Sequence, residues 1–365
     1  MQLINFRAEN IFSKSKNSWA RKEIESINQF RISSINGFSQ SSKNQTTHIL
    51  ERALVDIDIQ GEKSKEAILS QLIDLETGSG LQRKINFAKH LGLPLHYVLH
   101  NPRSGRVYVL ELYNLVDVKI AKAFKSYEAF AGYISEIKGW KSKKELLAKK
   151  GLPELDNALR KHKSPWPANL DALLFDANSQ PVAILEFQNA KTTLVEKVDM
   201  NDYFLCKKMK RQKVGGYEKI VFFDDIRRWM SLELLRVQSQ LPLINIVWSP
   251  DQSTYQINVV DQITFPDFAT YDTHHPWENV EEYKMLLHDF AIEHSEETEK
   301  PIRMKKALSF WKLGNRNQEV FHNPPLSFKE KSFPYIYWKK RTKGDIDKDN
   351  FKHSFLEVMD FCNLH

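Results

Sequence analysis

Two acidic residues lie inside short apolar segments of this chain, where a carboxylate is costly to bury without a partner. Asp171 lies in the segment 170–175, Leu-Asp-Ala-Leu-Leu-Phe, and Glu186 lies in the segment 182–187, Val-Ala-Ile-Leu-Glu-Phe. A divalent cation is the simplest partner that two carboxylates can share, and oxygen ligands suit Mg²⁺ or Mn²⁺. The two acids therefore predict a metal site.

The segment between these acids predicts a β-hairpin. Residues 176–181, Asp-Ala-Asn-Ser-Gln-Pro, have the composition of a turn, and each flanking segment is long enough for a strand of about six residues. Because side chains alternate along a strand, Glu186 and Gln188 share one face, while Leu185 and Phe187 share the other. The two acids are then expected to meet at one end of the hairpin.

This pattern resembles the motif of the PD-(D/E)XK nuclease superfamily, which includes restriction endonucleases, resolvases and repair nucleases. Asp171 matches the aspartate of that motif, Glu186 matches its glutamate, and Gln188 stands where lysine is usual. The resemblance implies that Asp171, Glu186 and the Phe187 carbonyl hold Mg²⁺ or Mn²⁺. Gln188 and Lys191 would complete the catalytic set, with Lys191 supplying a cation nearby. The implied activity is hydrolysis of DNA phosphodiesters by a restriction or other defence nuclease.

The same resemblance implies an α/β fold of the restriction-endonuclease type, with a mixed central sheet flanked by helices and with additional N- and C-terminal regions. We place the nuclease core at residues 121–262. An N-terminal α/β region, 1–120, could recognise DNA, and a mixed region, 263–365, follows the core. Alternating helices and strands after the hairpin predict parallel crossovers. These elements are a helix at 199–213, a strand at 219–223, a helix at 227–238 and a strand at 245–248.

Elements outside the hairpin follow from periodicity and turn residues. Residues 1–50 are rich in Ser, Asn and Gln and contain a predicted loop or mobile segment around residues 39–45. Further strands are predicted at 53–59, 95–99, 106–112 and 255–260. Further helices are predicted at 63–74, 81–91 and 121–138, together with a basic helical segment at 141–163 that is broken at Gly151-Leu152-Pro153. No internal repeat is apparent in the pattern of residues.

The net charge of +7 and the isoelectric point near 9.0 favour a polyanionic partner such as DNA. The segments 141–163 and 207–213 are basic. They are expected either to be solvated surfaces or to contact DNA phosphates. Such contacts would position the protein on DNA without reading the base sequence. An acid on the preceding helix, Glu136 or Glu145, is a further candidate metal ligand implied by the resemblance.

The sequence also indicates the cellular compartment and the partners to expect. The N-terminus has no secretory pattern and no apolar stretch approaches 18 residues, so we expect no membrane partner. The two cysteines, Cys206 and Cys362, are far apart, which favours a reducing cytoplasm. A homodimer is possible. Because Gln188 replaces a lysine, the alternative function is nucleic-acid binding without catalysis on the same fold. A third possibility is a basic small-molecule enzyme or protein-interaction scaffold.

Overall fold

The structure is a computed structural model that describes most of the chain. The described residues are 2–5, 18–40, 45–59, 65–139, 141–142, 145–190, 195, 208–214, 217–223, 226–264, 335–345 and 350–364. Within these ranges the chain forms seven helices and thirteen strands.

The elements are numbered in chain order. The strands are β1 (Leu3–Asn5), β2 (Arg31–Gln40), β3 (Thr46–Val55), β4 (Leu95–His100), β5 (Val107–Leu112), β6 (Val118–Phe124), β7 (Ala168–Phe175), β8 (Pro181–Asn189), β9 (Lys208–Val214), β10 (Tyr217–Phe223), β11 (Leu243–Trp248), β12 (Thr254–Thr264) and β13 (Tyr335–Asp345). The helices are α1 (Ser18–Glu25), α2 (Lys65–Glu76), α3 (Gly78–His90), α4 (Tyr127–Lys138), α5 (Glu154–Lys161), α6 (Ile226–Ser239) and α7 (Phe351–Phe361).

Eleven of the described strands form one mixed sheet. Its order is β13-β12-β11-β8-β7-β2-β3-β4-β5-β6, and β1 pairs with β3. Two neighbouring pairs are parallel, β3 with β4 and β8 with β11. The chain crosses over through helices between the members of each parallel pair, as parallel strands require. Strands β9 and β10 form a separate antiparallel hairpin.

The two faces of the sheet carry different helices. We call the face to which Ala172, Leu185 and Phe187 point the back face. Helices α1 and α7 pack on it with Ile24 and Phe355 in one apolar core. The face that carries Asp171, Leu173 and Glu186 is the front face, because side chains alternate along each strand.

Helix α3 lies on the front face and α4 and α5 lie on the back. Arg83 of α3 donates to Ser33, which is paired with the front-face residue Leu173. The next residue of α3, Lys84, contacts Glu51 of β3. Leu50 therefore points to the back, where it packs with α4 and α5 in a second apolar core.

Several predicted elements agree with the structure and several do not. The hairpin of β7 and β8, the pair β4 and β5, helices α2, α3 and α6, and the parallel crossover to β11 are confirmed. The basic helical segment predicted at 141–163 is confirmed after its break, where Glu154–Lys161 forms α5, and is wrong for the described residues before Glu154, which are not helical. The helix predicted at 199–213 is wrong for residues 208–213, which belong to β9, and residues 199–207 lie outside the described ranges.

The chain divides into two compact units. The first comprises residues 1–195, 234–259 and 340–365, and the second comprises residues 196–233 and 260–339. The predicted regions 1–120, 121–262 and 263–365 stay a prediction. In the described ranges no helix is both long and apolar enough to cross a membrane.

His100 gives the stability of the sheet a predictable pH dependence. Its side chain is fully buried at the end of β4, and burial, followed by the charge of Arg52, lowers its pKa to about 3. A histidine held neutral in the folded state adds stability above pH 6.5 that is lost as the pH falls toward 3. At pH 5 we expect a loss of about 2 kcal/mol from this residue relative to pH 8.

Urea unfolding of the His100→Phe variant at several pH values checks this expectation. Between pH 8 and pH 5 the free energy of unfolding of the variant should fall by about 2 kcal/mol less than that of the wild type. His353→Phe removes an exposed histidine and should keep the wild-type profile. Parallel profiles for the wild type and His100→Phe would show that His100 is not the group that titrates.

Candidate metal site

Asp171 and Glu186 lie opposite one another on the front face. The antiparallel register of β7 and β8 pairs Leu173 with Ile184 and Ala172 with Leu185. Continued by one step, this register sets Asp171 beside Glu186. Directly opposed residues of an antiparallel pair point to the same face, so the hairpin brings both carboxylates to one side of the sheet.

The two strands separate at this pair. Regular pairing of β7 with β8 ends at Ala172 and Leu185, and the Asp171 carboxylate accepts a hydrogen bond from the backbone N–H of Phe187 at 3.2 Å. A side chain thus replaces a ladder hydrogen bond. Because N–H and C=O of one residue point to the same side of a strand, the Phe187 carbonyl also faces β7. This carbonyl, one carboxylate oxygen of Asp171 and the neighbouring Glu186 are all hard oxygen donors.

The surroundings of Glu186 are polar but largely closed. Its side chain is 6% exposed, whereas Asp171 is half-buried. Asn245 of β11 lies beside Glu186 in the parallel register and donates from Nδ2 to the Glu186 carbonyl at 3.3 Å. Asn258 of β12 pairs with Asn245 and is also buried. A line of polar side chains therefore crosses four strands on the front face, from Asp171 to Asn258.

Of the two remaining predicted catalytic residues, Gln188 lies in the described part of the chain and Lys191 does not. Gln188 lies on β8, two residues beyond Glu186, and its amide donates to the carbonyl of Asn189 at 3.0 Å. An amide so placed can bond to a phosphate or a water, but it carries no positive charge. Lys191 lies outside the described residues.

The candidate upstream acids do not join the pair. Glu136 is exposed on α4, which packs on the back face, and Glu145 is exposed in an irregular segment. The basic segment 141–163 ends in α5, whose buried Leu155 and Leu159 also pack on the back face. Among the described residues of this segment, those of α5 therefore lie on the opposite face of the sheet from Asp171 and Glu186.

A second polar cluster, which sequence reasoning missed, also lies on the front face. Glu51 of β3 is fully buried, and its carboxylate accepts hydrogen bonds from the backbone and the side-chain amide of Asn36. Lys84 Nζ lies 3.2 Å from Glu51 Oε2 and 2.8 Å from Glu76 Oε2. Tyr97 donates to the other Glu76 oxygen at 2.9 Å.

The signal of this cluster in the sequence is a repeated tripeptide. Ile-Leu-Glu occurs at 49–51 and again at 184–186. In both places the glutamate follows two apolar strand residues. Asp171 lies 15 positions before Glu186, whereas the residue 15 positions before Glu51 is Asn36 and not an aspartate. A search for paired acids therefore passes over it.

The donor set of the pair suits a hard cation, although the described residues hold no group of three or more His, Cys, Asp or Glu side chains arranged to bind a metal. Two carboxylates and one carbonyl leave room for water or substrate oxygens, which Mg²⁺ commonly keeps as ligands. Comparisons of the chain with protein-family models, with curated proteins and with solved structures gave no match. The function is therefore inferred from the geometry of Asp171, Glu186 and their neighbours.

Proposed function

We propose that this protein is a Mg²⁺- or Mn²⁺-dependent nuclease that hydrolyses DNA phosphodiester bonds. The observation that carries the proposal is the opposition of Asp171 and Glu186 on one sheet face, at the point where their strands separate. Two carboxylates at such a point offer oxygen ligands to a cation and leave its remaining positions to a substrate. The net charge of +7 is favourable for a polyanionic substrate.

Each residue of the site would have a defined role. Asp171 and Glu186 would hold the cation, and the Phe187 carbonyl would be a further oxygen ligand. The bound cation supplies polarisation of a phosphate oxygen and lowers the pKa of a water molecule. Gln188 would orient the water or the phosphate by hydrogen bonds. Lys191, three residues beyond Gln188, would supply positive charge that Gln188 cannot.

The second candidate function is nucleic-acid binding without cleavage on the same fold. The observation that favours it is Gln188, whose amide is engaged with the backbone of β8. In this case the excess of Lys and Arg side chains, which gives the chain its net charge of +7, would bind DNA, and the affinity would fall steeply with salt. The third possibility, a small-molecule enzyme or a scaffold, predicts no salt-sensitive affinity for DNA.

A plasmid cleavage assay separates these functions. Supercoiled plasmid and linear phage DNA are incubated with the protein in Mg²⁺, in Mn²⁺ and in EDTA. Nuclease function predicts nicked or linear products with either metal and none in EDTA. Binding that is sensitive to salt, with no product under any condition, would replace the first proposal by the second. The absence of both binding and cleavage would leave the third.

A further inference from the structure

The central sheet is built from two halves with the same order of elements. The shared elements are α1, β2, β3, α3, β4 and β5 in the first half and α5, β7, β8, α6, β11 and β12 in the second. The first half also contains α2 between β3 and α3, and the second also contains β9 and β10 between β8 and α6. In the sheet the order β12-β11-β8-β7 is followed by its mirror order β2-β3-β4-β5. Each half contains a hairpin, a helical crossover to a parallel strand and a second hairpin.

The spacing of residues matches between the halves. Helix α1 and helix α5 each have eight residues. Their buried residues Ala20 and Ile24 correspond to Leu155 and Leu159, each 135 positions later. The same interval of 135 relates β2 to β7 and β3 to β8, and an interval of 148 relates β4 to β11. Within these matched elements the halves therefore agree in the spacing of residues as well as in topology.

The junction of the halves has the pairing that a local two-fold axis requires. Strands β2 and β7 are antiparallel, and Ile35 is paired with Leu170, which lies 135 positions later. Ala168 lies 135 positions after Ser33, and Leu173 lies 135 positions after Phe38. The pair of Ser33 with Leu173 is therefore equivalent to the pair of Ala168 with Phe38. A ladder with this property is symmetric about its central pair.

This relation maps the second polar cluster onto the candidate metal site. Glu51 corresponds to Glu186 and Asn36 corresponds to Asp171, and in both hairpins regular pairing ends just before these residues. Each glutamate follows its partner by 15 positions. Each pair also contains one carboxylate that accepts a hydrogen bond from a backbone N–H of the opposite strand.

The halves differ in charge. The pair Asn36 and Glu51 has one carboxyl group, and the buried Lys84 ammonium contacts it. The residue 148 positions after Lys84 is Leu232, which is also buried but carries no charge. In the first half a protein cation, the Lys84 ammonium, thus lies beside Glu51, the glutamate equivalent to Glu186, and is held between Glu51 and Glu76.

We propose that the chain is an internal tandem repeat, and that its first half contains a closed counterpart of the candidate metal site in which the Lys84 ammonium replaces a divalent cation. The oxygens around Lys84 Nζ form a latent site for a hard cation such as Mn²⁺. Removal of the ammonium opens that site, because Glu51 and Glu76 already converge on one point within 3.2 Å of the nitrogen.

The experiment counts Mn²⁺ bound per chain by electron paramagnetic resonance. Lys84→Ala should bind one Mn²⁺ more than the wild type, and its melting temperature should rise on addition of Mn²⁺ by more than that of the wild type. The added Mn²⁺ should be lost again in the Glu51→Gln, Lys84→Ala double variant. Lys89→Ala, which removes an exposed lysine of the same helix, should bind as the wild type does.

The outcomes also separate this proposal from the proposed function. The nuclease proposal predicts one Mn²⁺ in the wild type that is lost in Asp171→Asn. A wild type without Mn²⁺ and a Lys84→Ala variant with one would contradict that function and support the latent site. Equal counts in the two proteins would overturn the latent site. If Lys84→Ala folds only with Mn²⁺, the latent site is supported, and if it folds in neither condition the proposal fails.

Discussion

Asp171→Asn is expected to reduce metal-dependent DNA cleavage by at least about 10³-fold while the fold is retained. Loss of a metal ligand removes several kcal/mol of transition-state stabilisation, and each 1.4 kcal/mol is a factor of ten in rate. The fold should persist because an asparagine oxygen can still accept the hydrogen bond from the Phe187 N–H. Single-turnover cleavage of a plasmid measures the effect, and circular dichroism verifies the fold.

Affinity for DNA should be unchanged or higher in this variant when no metal is present. A carboxylate without its cation repels phosphate, and asparagine removes that repulsion. Asp176→Asn is the matched control, because Asp176 lies in the turn of the same hairpin and accepts a hydrogen bond from Gln180. This control should cleave at the wild-type rate. Cleavage by Asp171→Asn at that rate would exclude Asp171 from the catalytic set.

The hairpin that carries the two acids could be predicted from sequence because both of its signals are local. Turn residues at 176–181 separate two apolar segments, and the apolar residues fix the strands on either side. The parallel position of β11 followed from the alternation of helix and strand. These elements bury nearly continuous apolar runs, and Leu243–Trp248 is buried at every position.

Elements that owe their place to tertiary contacts could not be predicted in this way. Strand β2 contains Ser33, Ser34, Asn36 and Ser39, so its composition is typical of a loop. The structure places it at the centre of the sheet between β7 and β3, where Ser33 and Ser39 are buried with hydrogen-bond partners. Polar residues with partners from other elements leave no periodic signal in their own segment.

The two polar clusters differ in the same way, because one depends on local sequence and the other depends on tertiary contacts. Asp171 and Glu186 are joined by one turn, so their spacing in sequence predicts their proximity. Glu51 meets Lys84 and Glu76 through α2 and α3, and these contacts depend on how the helices pack. The equivalence of Glu51 and Glu186 becomes visible only through strand pairing. Little besides the Ile-Leu-Glu tripeptide links the two hairpins in sequence.

Lys84→Met is expected to lower the free energy of unfolding by about 3–5 kcal/mol in the absence of metal. The substitution leaves the Glu51 carboxylate buried and close to Glu76 without the Lys84 ammonium between them. Removal of one member of a buried ion pair costs this much because the remaining charge stays out of water and has lost the opposite charge of the pair. Urea unfolding followed by circular dichroism, together with the melting temperature, measures the loss.

The Glu51→Gln, Lys84→Met double variant completes a mutant cycle and should recover most of this loss. Replacement of both members of a buried ion pair by neutral side chains of similar size is often close to neutral, since both desolvation penalties disappear together. Glutamine can still accept the hydrogen bond from the Asn36 N–H. A coupling energy near zero between the two substitutions would mean that Lys84 and Glu51 are not energetically paired, and Lys84 would then be a packing residue of α3 and not an internal cation.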